Sequence, residues 1–460
     1  MSLGIVNSSV QSETIRQSIR EAPLVAIREL MTDQRILDAC AACGYTFRQR
    51  LYGPVVTVLH FIAQALQREE SFAATWQELF TSLAADFPEI GIDGFGLSGL
   101  THARKRLPKK ILQQLTFEFC REAQALTVDR WKGFRLLAID GTTVSMPREA
   151  ALFEHFGQHR ARTTAVRYPL GTFACLLDVA GSLMLDYRFG PFDPGEMTTT
   201  VPLLSSVGPG DLLLVDRHFS GSPFLARTYA TGADFLTRKN ARRKIEPLPV
   251  IERLGHKDFV TEIPMDKPTR RADPTMPASV RVRVFKATWK TPAGEKVAEW
   301  FMTSLTDAKK YPKRTLAKLY HERWQIETGY DEFKCALHAD VLRSKTVDNI
   351  YKEIAAHVLA YQVIRRLIVA AAQKHGKKPT EISFLNAARW VMHFSHRMAA
   401  APARMLPYLY QALLDAIASC DVDVRPGRLK PRALTREWKH YPHLRITRAE
   451  WRRQRLRRTA

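Results

Sequence analysis

The segment DLLLVDRHF (211–219) decides the fold class. Its apolar residues run without interruption and stop at Asp216, and FRLLAID (134–140) repeats the pattern and stops at Asp140. Unbroken apolar runs of this length are typical of strands that are buried on both faces of a sheet. The same kind of run recurs in three further segments, which we also predict to be strands: TFACLLDVAG (172–181), LMLDYRFG (183–190) and ADFLTRK (233–239).

Helical segments separate these strands. EMTTTVPLLSSV (196–207) and SPFLARTYATG (222–232) carry apolar residues at helical spacing between the third, fourth and fifth predicted strands. Strands that alternate with helices indicate an α/β core. We therefore predict a mixed sheet with helices packed against it.

Composition divides the remaining chain around this core. Residues 1–128 have a helical pattern, 129–240 contain the strands, and 241–305 return to strands with basic residues between them. Residues 306–395 resume the helical pattern. Residues 396–460 begin helical and end in a basic tail from Arg425 to Ala460, which finishes WRRQRLRRTA and which we expect to be partly disordered unless it binds an anionic partner.

The 241–305 region alternates between apolar and basic side chains. In SVRVRVFKATWK (279–290), Val280, Val282 and Val284 fall on one face and Arg281 and Arg283 on the other. Such alternation is typical of an antiparallel sheet with one face in water. We predict an antiparallel insertion with a solvated, cationic face.

The charge balance bears on partners rather than on fold. Sixty-nine Lys and Arg against 46 Asp and Glu give a formal net charge of +23. Nucleic acid is the first candidate partner, and an anionic membrane surface is the second. The most apolar stretch, 354–372, contains His357, Arg365 and Arg366, so we predict a buried helix there and no membrane span. Six cysteines, mostly in apolar runs, and no signal-peptide pattern favour a reducing cytosol.

Asp140 and Asp216 stand where a ligand site is expected. Ligands of open α/β sheets gather at the carboxyl ends of the strands, and each Asp closes an apolar run. An Asp at this point also commonly turns the chain or caps the next helix. Both interpretations stay open on these two residues alone.

A helical segment, LAKLYHERWQIETGYDEFKCALH (316–338), adds a third group. On a continuous α-helix, four polar side chains fall within an arc of about 60°: Tyr320, Arg323, Glu327 and Lys334. Leu319, Ile326, Phe333 and Leu337 share a separate arc that we expect to face the core. Asp331 also lies near the polar arc, and a solvated face with ordinary i,i+4 ion pairs has the same pattern.

These residues together resemble a known family. Tyr320, Arg323, Glu327 and Lys334 match the Tyr-Arg-Glu-Lys signature of bacterial insertion-sequence transposases of the insertion-sequence-four group, which are DDE enzymes. Asp140-Gly-Thr and Asp216-Arg are similar to the family's first two acidic motifs, in order. GLTHARKRLP (99–108) and RPGRLKPRALTREWKHYPHLR (425–445) are similar to its N- and C-terminal sequences. The resemblance favours Glu327 over Asp331 as the third acid.

The resemblance implies a fold and a chemistry. The fold is a ribonuclease-H-like mixed-sheet core with a β insertion, a helical N-terminal DNA-binding domain and a helical, basic C-terminal region. Asp140, Asp216 and Glu327 would bind two Mg²⁺ ions, for which Mn²⁺ would substitute, since hard oxygen ligands suit these ions. Arg323 and Lys334 would hold a DNA phosphate, and Tyr320 would donate a hydrogen bond to one.

Further DNA contacts follow from the same resemblance. In relatives, a Trp of the insertion stacks on a flipped base, and Trp300 is the candidate here, with Trp289 second. In the N-terminal region, Ser98 is placed to cap a basic helix whose Arg104, Lys105 and Arg106 are candidate DNA contacts. Strand tryptophans and basic helix faces also occur for packing and solubility alone.

The sequence thus predicts a transposase that binds the terminal inverted repeats of its own element, cleaves at the ends and joins them to target DNA. Double-stranded DNA and a second copy of the chain, in a homodimer that holds two ends, are the implied partners. We expect a cytoplasmic, nucleoid-associated protein that does not contact membranes. Two alternatives remain: a domesticated DNA-binding protein without catalysis, and a metal-dependent nuclease without strand transfer.

Overall fold

The structure is a computed structural model. It describes the following parts of the chain: residues 30–48, 52–67, 73–76, 96–126, 129–158, 168–193, 195–240, 243–245, 248–290, 296–399, 401–422, 450 and 453. Nearly all of the predicted basic tail from Arg425 lies outside the described residues, and so does the matching C-terminal motif.

A nine-stranded sheet runs through the molecule in the order β3-β2-β1-β4-β5-β9-β8-β7-β6. Its strands are β1 (Arg135–Ser145), β2 (Leu170–Asp178), β3 (Leu183–Pro191), β4 (Asp211–Val215), β5 (Asp234–Arg238), β6 (Glu252–Gly255), β7 (Asp258–Pro264), β8 (Ser279–Lys290) and β9 (Lys296–Thr303). β4 pairs in parallel with β1 and β5, and the other ladders are antiparallel. The predicted mixed α/β class is confirmed.

Helices cover both faces of this sheet. The described ones are α1 (Asp33–Ala42), α2 (Pro54–Leu66), α3 (Leu97–Arg106), α4 (Lys109–Ala125), α5 (Ala150–Phe156), α6 (Glu196–Thr200), α7 (Ser222–Ala230), α8 (Lys267–Ala272), α9 (Lys313–Tyr320), α10 (Trp324–Asp331), α11 (Val347–His375), α12 (Phe384–Ala399) and α13 (Leu406–Ala418). Short 3₁₀ turns follow α6 at Val201–Ser206, β4 at Arg217–Phe219 and α9 at His321–Arg323.

The long helix α11 forms the centre of the helical side. By length and composition it could cross a membrane, but 89% of its most apolar window is buried, against α2, α4 and α13 among others. Arg365, near its middle, is 1% exposed and forms an ion pair with Glu332. The prediction of a buried helix over 354–372 is confirmed.

The strands of the 241–305 region do not form a sheet of their own. β9 pairs with β5 through Leu236↔Thr303, so the insertion extends the core sheet. Its Val280, Val282 and Val284 are buried as expected, but the cationic face is only partly in water. Arg281 is exposed, whereas Arg283 is fully buried beneath the turn that leads to α9. The expectation of a solvated face is therefore wrong at Arg283, because this turn covers that side of β8.

The segment 313–336 is not one continuous helix. A 3₁₀ turn at His321–Arg323 separates α9 from α10, and a π-helical turn at Glu332–Ala336 follows α10. A 3₁₀ turn winds the chain more tightly than an α-helix and a π turn more loosely. The predicted single polar arc does not survive these changes of winding. The four core-facing residues are buried as predicted: Leu319, Ile326, Phe333 and Leu337.

Candidate active site

Asp140 and Asp216 lie side by side at one edge of the parallel part of the sheet. β1 does not end at Asp140, as the apolar run suggested, but continues to Ser145 in pairing with β2. What ends there is its parallel pairing with β4, whose last pair is Ile139↔Val215. The next residue on each strand is an Asp. The two carboxylates therefore leave the sheet at neighbouring positions.

Asp216 also caps a turn. One oxygen accepts a hydrogen bond from the backbone N–H of His218 at 3.1 Å, which begins the 3₁₀ turn after β4. The other lies 3.4 Å from Nη2 of Arg238, at the end of β5. The capping role considered from the sequence is thus real, and it fixes this carboxylate in place rather than excluding it from a site.

Arg323 joins the third acid to the first. Its Nη2 donates to Oε1 of Glu327 at 2.5 Å, and its Nη1 lies 4.0 Å from Oδ2 of Asp140. Burial alone would lower the pKa of this guanidinium, but Glu327, Tyr320 and Asp216 together outweigh burial and raise the pKa above its usual value. Asp331, the alternative acid, is exposed on the same helix. The fold therefore brings Glu327 to the strand-end acids through Arg323.

Tyr320 differs from its expected placement. The side chain is buried, and its hydroxyl donates to the backbone oxygen of Val215 at 3.1 Å. Its ring packs against Phe301 and lies 5.5 Å from the guanidinium of Arg238. Burial also raises the pKa of the phenol. Tyr320 thus supports the end of β4, directly before Asp216, while its ring lies 5.9 Å from the guanidinium of Arg323.

Lys334 lies in the π-helical turn, half-buried. Burial lowers the pKa of its ammonium group, and the charge of Asp340 opposes that change. The described hydrogen bonds and ion pairs of Asp140, Asp216 and Glu327 do not include Lys334. The structure therefore brings Arg323, but not Lys334, into direct contact with the acids.

Two residues that the sequence analysis missed contact the Asp140 segment. Tyr330 is buried, and its hydroxyl donates to the backbone oxygen of Asp140 at 2.6 Å, which fastens α10 to β1. Glu196, the first residue of α6, accepts the backbone N–H of Gly141 at 2.9 Å, and Asp140 Oδ1 accepts the same N–H at 2.9 Å. Tyr330 follows Glu327 by three residues, one helical turn, which is a signal the sequence carried. Glu196, a single Glu at the start of a helix, gave no such signal in the sequence.

The electrostatics of Asp140 follow from this arrangement. Burial, with a smaller contribution from the neighbouring charge of Glu196, raises the pKa of its carboxyl to about 7, although the Gly141 N–H and the charge of Arg323 lower it. A carboxyl with this pKa in a cleft is typical of functional sites as well as of structural networks.

The two candidate stacking tryptophans lie on opposite faces of the sheet. Trp300 is half-buried, packs edge-on against Phe259 and lies 5.8 Å from the ammonium of Lys286. Its backbone oxygen accepts the N–H of Lys239, one residue beyond Arg238. Trp289 packs edge-on against His321, in the 3₁₀ turn that also contains Arg323. Each ring thus lies near the site segments from a different side.

The basic helix α3 presents only part of its predicted charge. It begins at Leu97 with Gly96 as its cap, so Ser98 lies inside it. Arg104 points inward: it is 9% exposed, lies over the ring of Phe61 and donates to Gln64 at 2.6 Å. Lys105 and Arg106 are exposed. Arg104 therefore lies on the packed face of the helix, and Lys105 and Arg106 are the candidate DNA contacts that lie on its exposed face.

The donor set suits a hard divalent cation, although the described residues include no group of three acids, histidines or cysteines arranged around one point. Carboxylate oxygens are the ligands that Mg²⁺ prefers. The guanidinium of Arg323 lies between Glu327 and Asp140, so these acids already hold a cationic group. The residues present therefore fit a divalent ion in chemistry, with Arg323 as the stand-in charge.

Asp140 and Asp216 leave adjacent strands, and Arg323 links Glu327, on α10, to Asp140, which is the arrangement that the sequence motifs predicted. The sequence model of the family described as "Transposase DDE domain" matches residues 131–363, and the chain belongs to this family of transposases. Within the family it is of the IS4 type. It is 26% identical to the transposase InsG for insertion sequence element IS4 of Escherichia coli (strain K12) over 430 residues, 91% of this chain and 93% of that protein.

A solved structure is also similar, at a greater distance. It is the cryo-EM structure of the piggyBac transposase synaptic complex with hairpin DNA, with a TM-score of 0.42 and 12% identity over 86% of this chain and 85% of that one. A likeness at this score carries no weight for the fold or the site. The family resemblance predicted from the sequence motifs is confirmed by the family match and by the IS4 transposase.

Proposed function

We propose that this transposase binds the terminal inverted repeats of its own insertion sequence, cleaves phosphodiester bonds at the ends and joins the freed 3′-OH to target DNA. The observation that carries the proposal is the placement of Asp140 and Asp216 side by side, one residue beyond the last β1–β4 pair, with Arg323 linking Asp140 to Glu327. The net charge of +23 supports a polyanionic substrate. Transposition would proceed by hydrolysis, in which water attacks the phosphorus and the 3′ oxygen leaves as a 3′-OH, followed by transesterification, in which that 3′-OH attacks a target phosphodiester and displaces the target's own 3′ oxygen. One site can serve both steps, because each exchanges one oxygen for another at phosphorus.

DDE transposase domains generally use divalent metal ions, and we propose Mg²⁺, with Mn²⁺ as a substitute. Asp140, Asp216 and Glu327 would hold two ions through their carboxylate oxygens. When bound, such a pair activates the attacking oxygen and stabilises the leaving one. Glu327 would have to exchange its bond with Arg323 for the metal, which frees the guanidinium for the substrate.

The cationic residues of the site would then orient the DNA. Arg323 presents a planar fork that suits a phosphate, and Lys334, in the adjoining π-helical turn, would supply a point charge. Tyr320 would act indirectly, because its hydroxyl donates to the backbone oxygen of Val215 and so stabilises the end of the strand that leads to Asp216. Arg238 restrains Asp216 from β5. These contacts keep the acids in place while the phosphate is exchanged.

We propose that residues 129–240 and 306–395 form a ribonuclease-H-like core, interrupted by the insertion 241–305. The strand order β3-β2-β1-β4-β5, with β1, β4 and β5 parallel, supports this assignment. Residues 1–128 would be the N-terminal DNA-binding domain and 396–460 the C-terminal region. The DNA complex would be a homodimer that holds two ends, and the protein would be cytoplasmic.

Trp300 is our candidate for stacking on an unpaired base at the transposon end. Flipping a base costs a few kcal/mol, and stacking on an aromatic ring returns about 1–3 kcal/mol. Trp300→Ala should therefore slow single-turnover cleavage by about tenfold to a hundredfold with little change in end binding. An end that lacks the flipped base should regain most of the rate. Equal impairment on intact and abasic ends would remove Trp300 from this role, and Trp289→Ala would be measured next.

One reaction separates the proposed function from its two alternatives. Protein, DNA that carries the element's ends, Mg²⁺ and a supercoiled target are incubated together. We expect joined products, whereas a nuclease would only cut the ends, and a domesticated binding protein would only shift them in a gel.

The acids are tested in the same assay. Asp140→Asn, Asp216→Asn and Glu327→Gln should each reduce cleavage to background while end binding persists, because affinity comes mainly from Lys and Arg. Asp331→Asn is the matched control on the same helix and should cleave normally. Full cleavage by Glu327→Gln would contradict the proposed site.

A further inference from the structure

Two carboxylates converge on one backbone N–H beside the strand-end acids. Oδ1 of Asp140 and Oε1 of Glu196 each lie 2.9 Å from the nitrogen of Gly141. The two oxygens are therefore separated by at most twice that distance. Asp140 is in β1, and Glu196 is 55 residues beyond Gly141 along the chain, in α6, so tertiary structure, not local sequence, creates the pair.

A single N–H is a weak partner for two carboxylates. It donates one hydrogen, and a shared donor satisfies neither acceptor fully, while the like charges repel at this separation. Arg323 contributes only at 4.0 Å, and to the other oxygen of Asp140. A cation between the two acids removes the repulsion. Neighbouring oxygen ligands of Mg²⁺ lie about 3 Å apart, at roughly 2.0–2.1 Å from the ion. Binding one ion would require the two oxygens, each now 2.9 Å from the same nitrogen, to take up that spacing.

We infer that Glu196 is a fourth carboxylate of the catalytic centre and binds the same divalent cation as Asp140. The inference rests on the proposed function, from which the cation follows. It adds to the three acids of the family signature a ligand that lies outside every motif the sequence displayed.

Gly141 makes room for this acid. A Cβ atom at position 141 would lie 2.4 Å from Cγ and 2.6 Å from Oε1 of Glu196. Such distances cannot be tolerated, and the flexible Glu side chain would be displaced. The Gly that follows Asp140 thus has a physical reason: it lets the carboxylate of Glu196 approach the backbone next to Asp140.

The second oxygen of Glu196 faces the other acidic segment. Oε2 lies 4.0 Å from Nε2 of His218, in the turn that Asp216 caps. The Glu196 side chain is one-third exposed, and His218 is 62% exposed, so this side is open to solvent and to DNA. α6 itself is held by the core, since Met197 packs against the apolar cluster beneath β1 and β4. Glu196 therefore spans the space between the two Asp segments from a fixed helix.

The test measures metal binding as well as cleavage. Mn²⁺ affinity and stoichiometry are determined by calorimetry on the full chain for wild type, Glu196→Gln, Gly141→Ala and Glu154→Gln. Glu154 is an exposed acid on α5 and controls for the loss of one charge. We expect Glu196→Gln to weaken Mn²⁺ binding at least about tenfold, Gly141→Ala to weaken it in the same direction by displacing Glu196, and Glu154→Gln to match wild type. Cleavage of end DNA should fall in the first two variants at limiting metal and recover in part at high metal.

The outcomes distinguish this inference from the proposed function. If wild type binds Mn²⁺ and Asp140→Asn loses binding, but Glu196→Gln binds and cleaves like Glu154→Gln, then Glu196 is not a ligand and the proposed function stands. If wild type neither binds Mn²⁺ nor cleaves, the proposed function fails and the inference fails with it. Circular dichroism identifies a misfolded variant, and Gly141→Ala, which leaves Glu196 in the chain, then decides the question.

Discussion

Arg283 and Arg323 are both buried arginines held by carboxylates, one in the insertion and one in the site. Arg283 is fully enclosed: it makes two bonds of 2.7 Å to Asp258, which is 6% exposed, and donates to the backbone oxygen of Tyr311 at 2.7 Å. Arg323 makes one bond of 2.5 Å to Glu327, which is 36% exposed, and reaches Asp140 only at 4.0 Å. One ion pair is complete, and the other is open on one side.

The difference separates a structural arginine from a functional one. The guanidinium of Arg283 has a bidentate carboxylate and backbone oxygens around it, so its charge is satisfied and it joins β7 and β8 to the turn before α9. Arg323 lies among acids that outnumber it, and these acids are partly open to solvent. The partly exposed Arg323–Glu327 pair can exchange its partners for a metal ion or a phosphate. The fully buried Arg283–Asp258 pair has no room for such an exchange.

Breaking the closed pair should have the largest effect on stability. Asp258→Asn leaves the charge of Arg283 buried with a poorer partner, and loss of one partner of a buried pair costs about 3–5 kcal/mol. We therefore expect the free energy of unfolding, measured by urea denaturation, to fall by about that amount.

The neighbouring pair on the same strand is the matched control. Arg281 and Glu252 approach to 3.8 Å but are 59% and 55% exposed. Exposed pairs contribute at most about 1 kcal/mol, so Glu252→Gln should change stability little. If Asp258→Asn and Glu252→Gln lowered the free energy of unfolding by equally small amounts, burial would not strengthen the Arg283–Asp258 pair, and the contrast between buried and exposed ion pairs would be wrong.

The open pair should respond in the opposite way. Arg323→Met removes a buried cation, but the acids it leaves, Asp140 and Glu327, are 22% and 36% exposed and can be hydrated. We therefore expect the free energy of unfolding to fall by less than it does for Asp258→Asn. Cleavage of end DNA should fall by at least about a hundredfold, because the variant has no charge aimed at the transferring phosphate.

Two further arginine variants make this result specific. Arg323→Lys keeps the charge without the fork and should retain intermediate activity. Arg283→Met should instead unfold at lower urea. Normal cleavage by Arg323→Met would show that Arg323 does not act on the transferring phosphate and only hydrogen-bonds Glu327.

The comparison also shows what the sequence could predict. The strands and the two Asp residues were predictable because unbroken apolar runs mark strands buried on both faces. The burial of Arg283 could not be predicted. Alternation along a strand assigns residues to one face or the other, but it does not tell which face a later segment of the chain will cover. Helix spacing placed Glu327 and Arg323 together, but it did not predict that Tyr320 donates to the backbone oxygen of Val215. Glu196 was out of reach, since only the fold brings it to Gly141.

The same contrast between enclosed and open cations occurs on α3, where we expect the smallest effects. Arg104 is enclosed by Phe61 and Gln64, and its backbone oxygen accepts the ammonium of the buried Lys352 at 2.9 Å. Lys105 and Arg106, the next two residues, are exposed. If this helix follows the DNA backbone, only the two exposed residues can release counterions on binding.

Replacing Lys105 and Arg106 by Ala should therefore lower affinity for any DNA, with no change in preference for the element's ends, because binding to phosphates carries no sequence information directly. The slope of log affinity against log salt should flatten by about 0.9 for each phosphate that is no longer neutralised, or about 1.8 for two. Arg104→Met is the matched comparison: it should lower thermal stability, because it empties a packed position, and leave the salt slope unchanged. A slope that flattens for Arg104→Met but not for the double variant would reverse the assignment of this helix face. An unchanged slope in both would place DNA binding elsewhere in the chain.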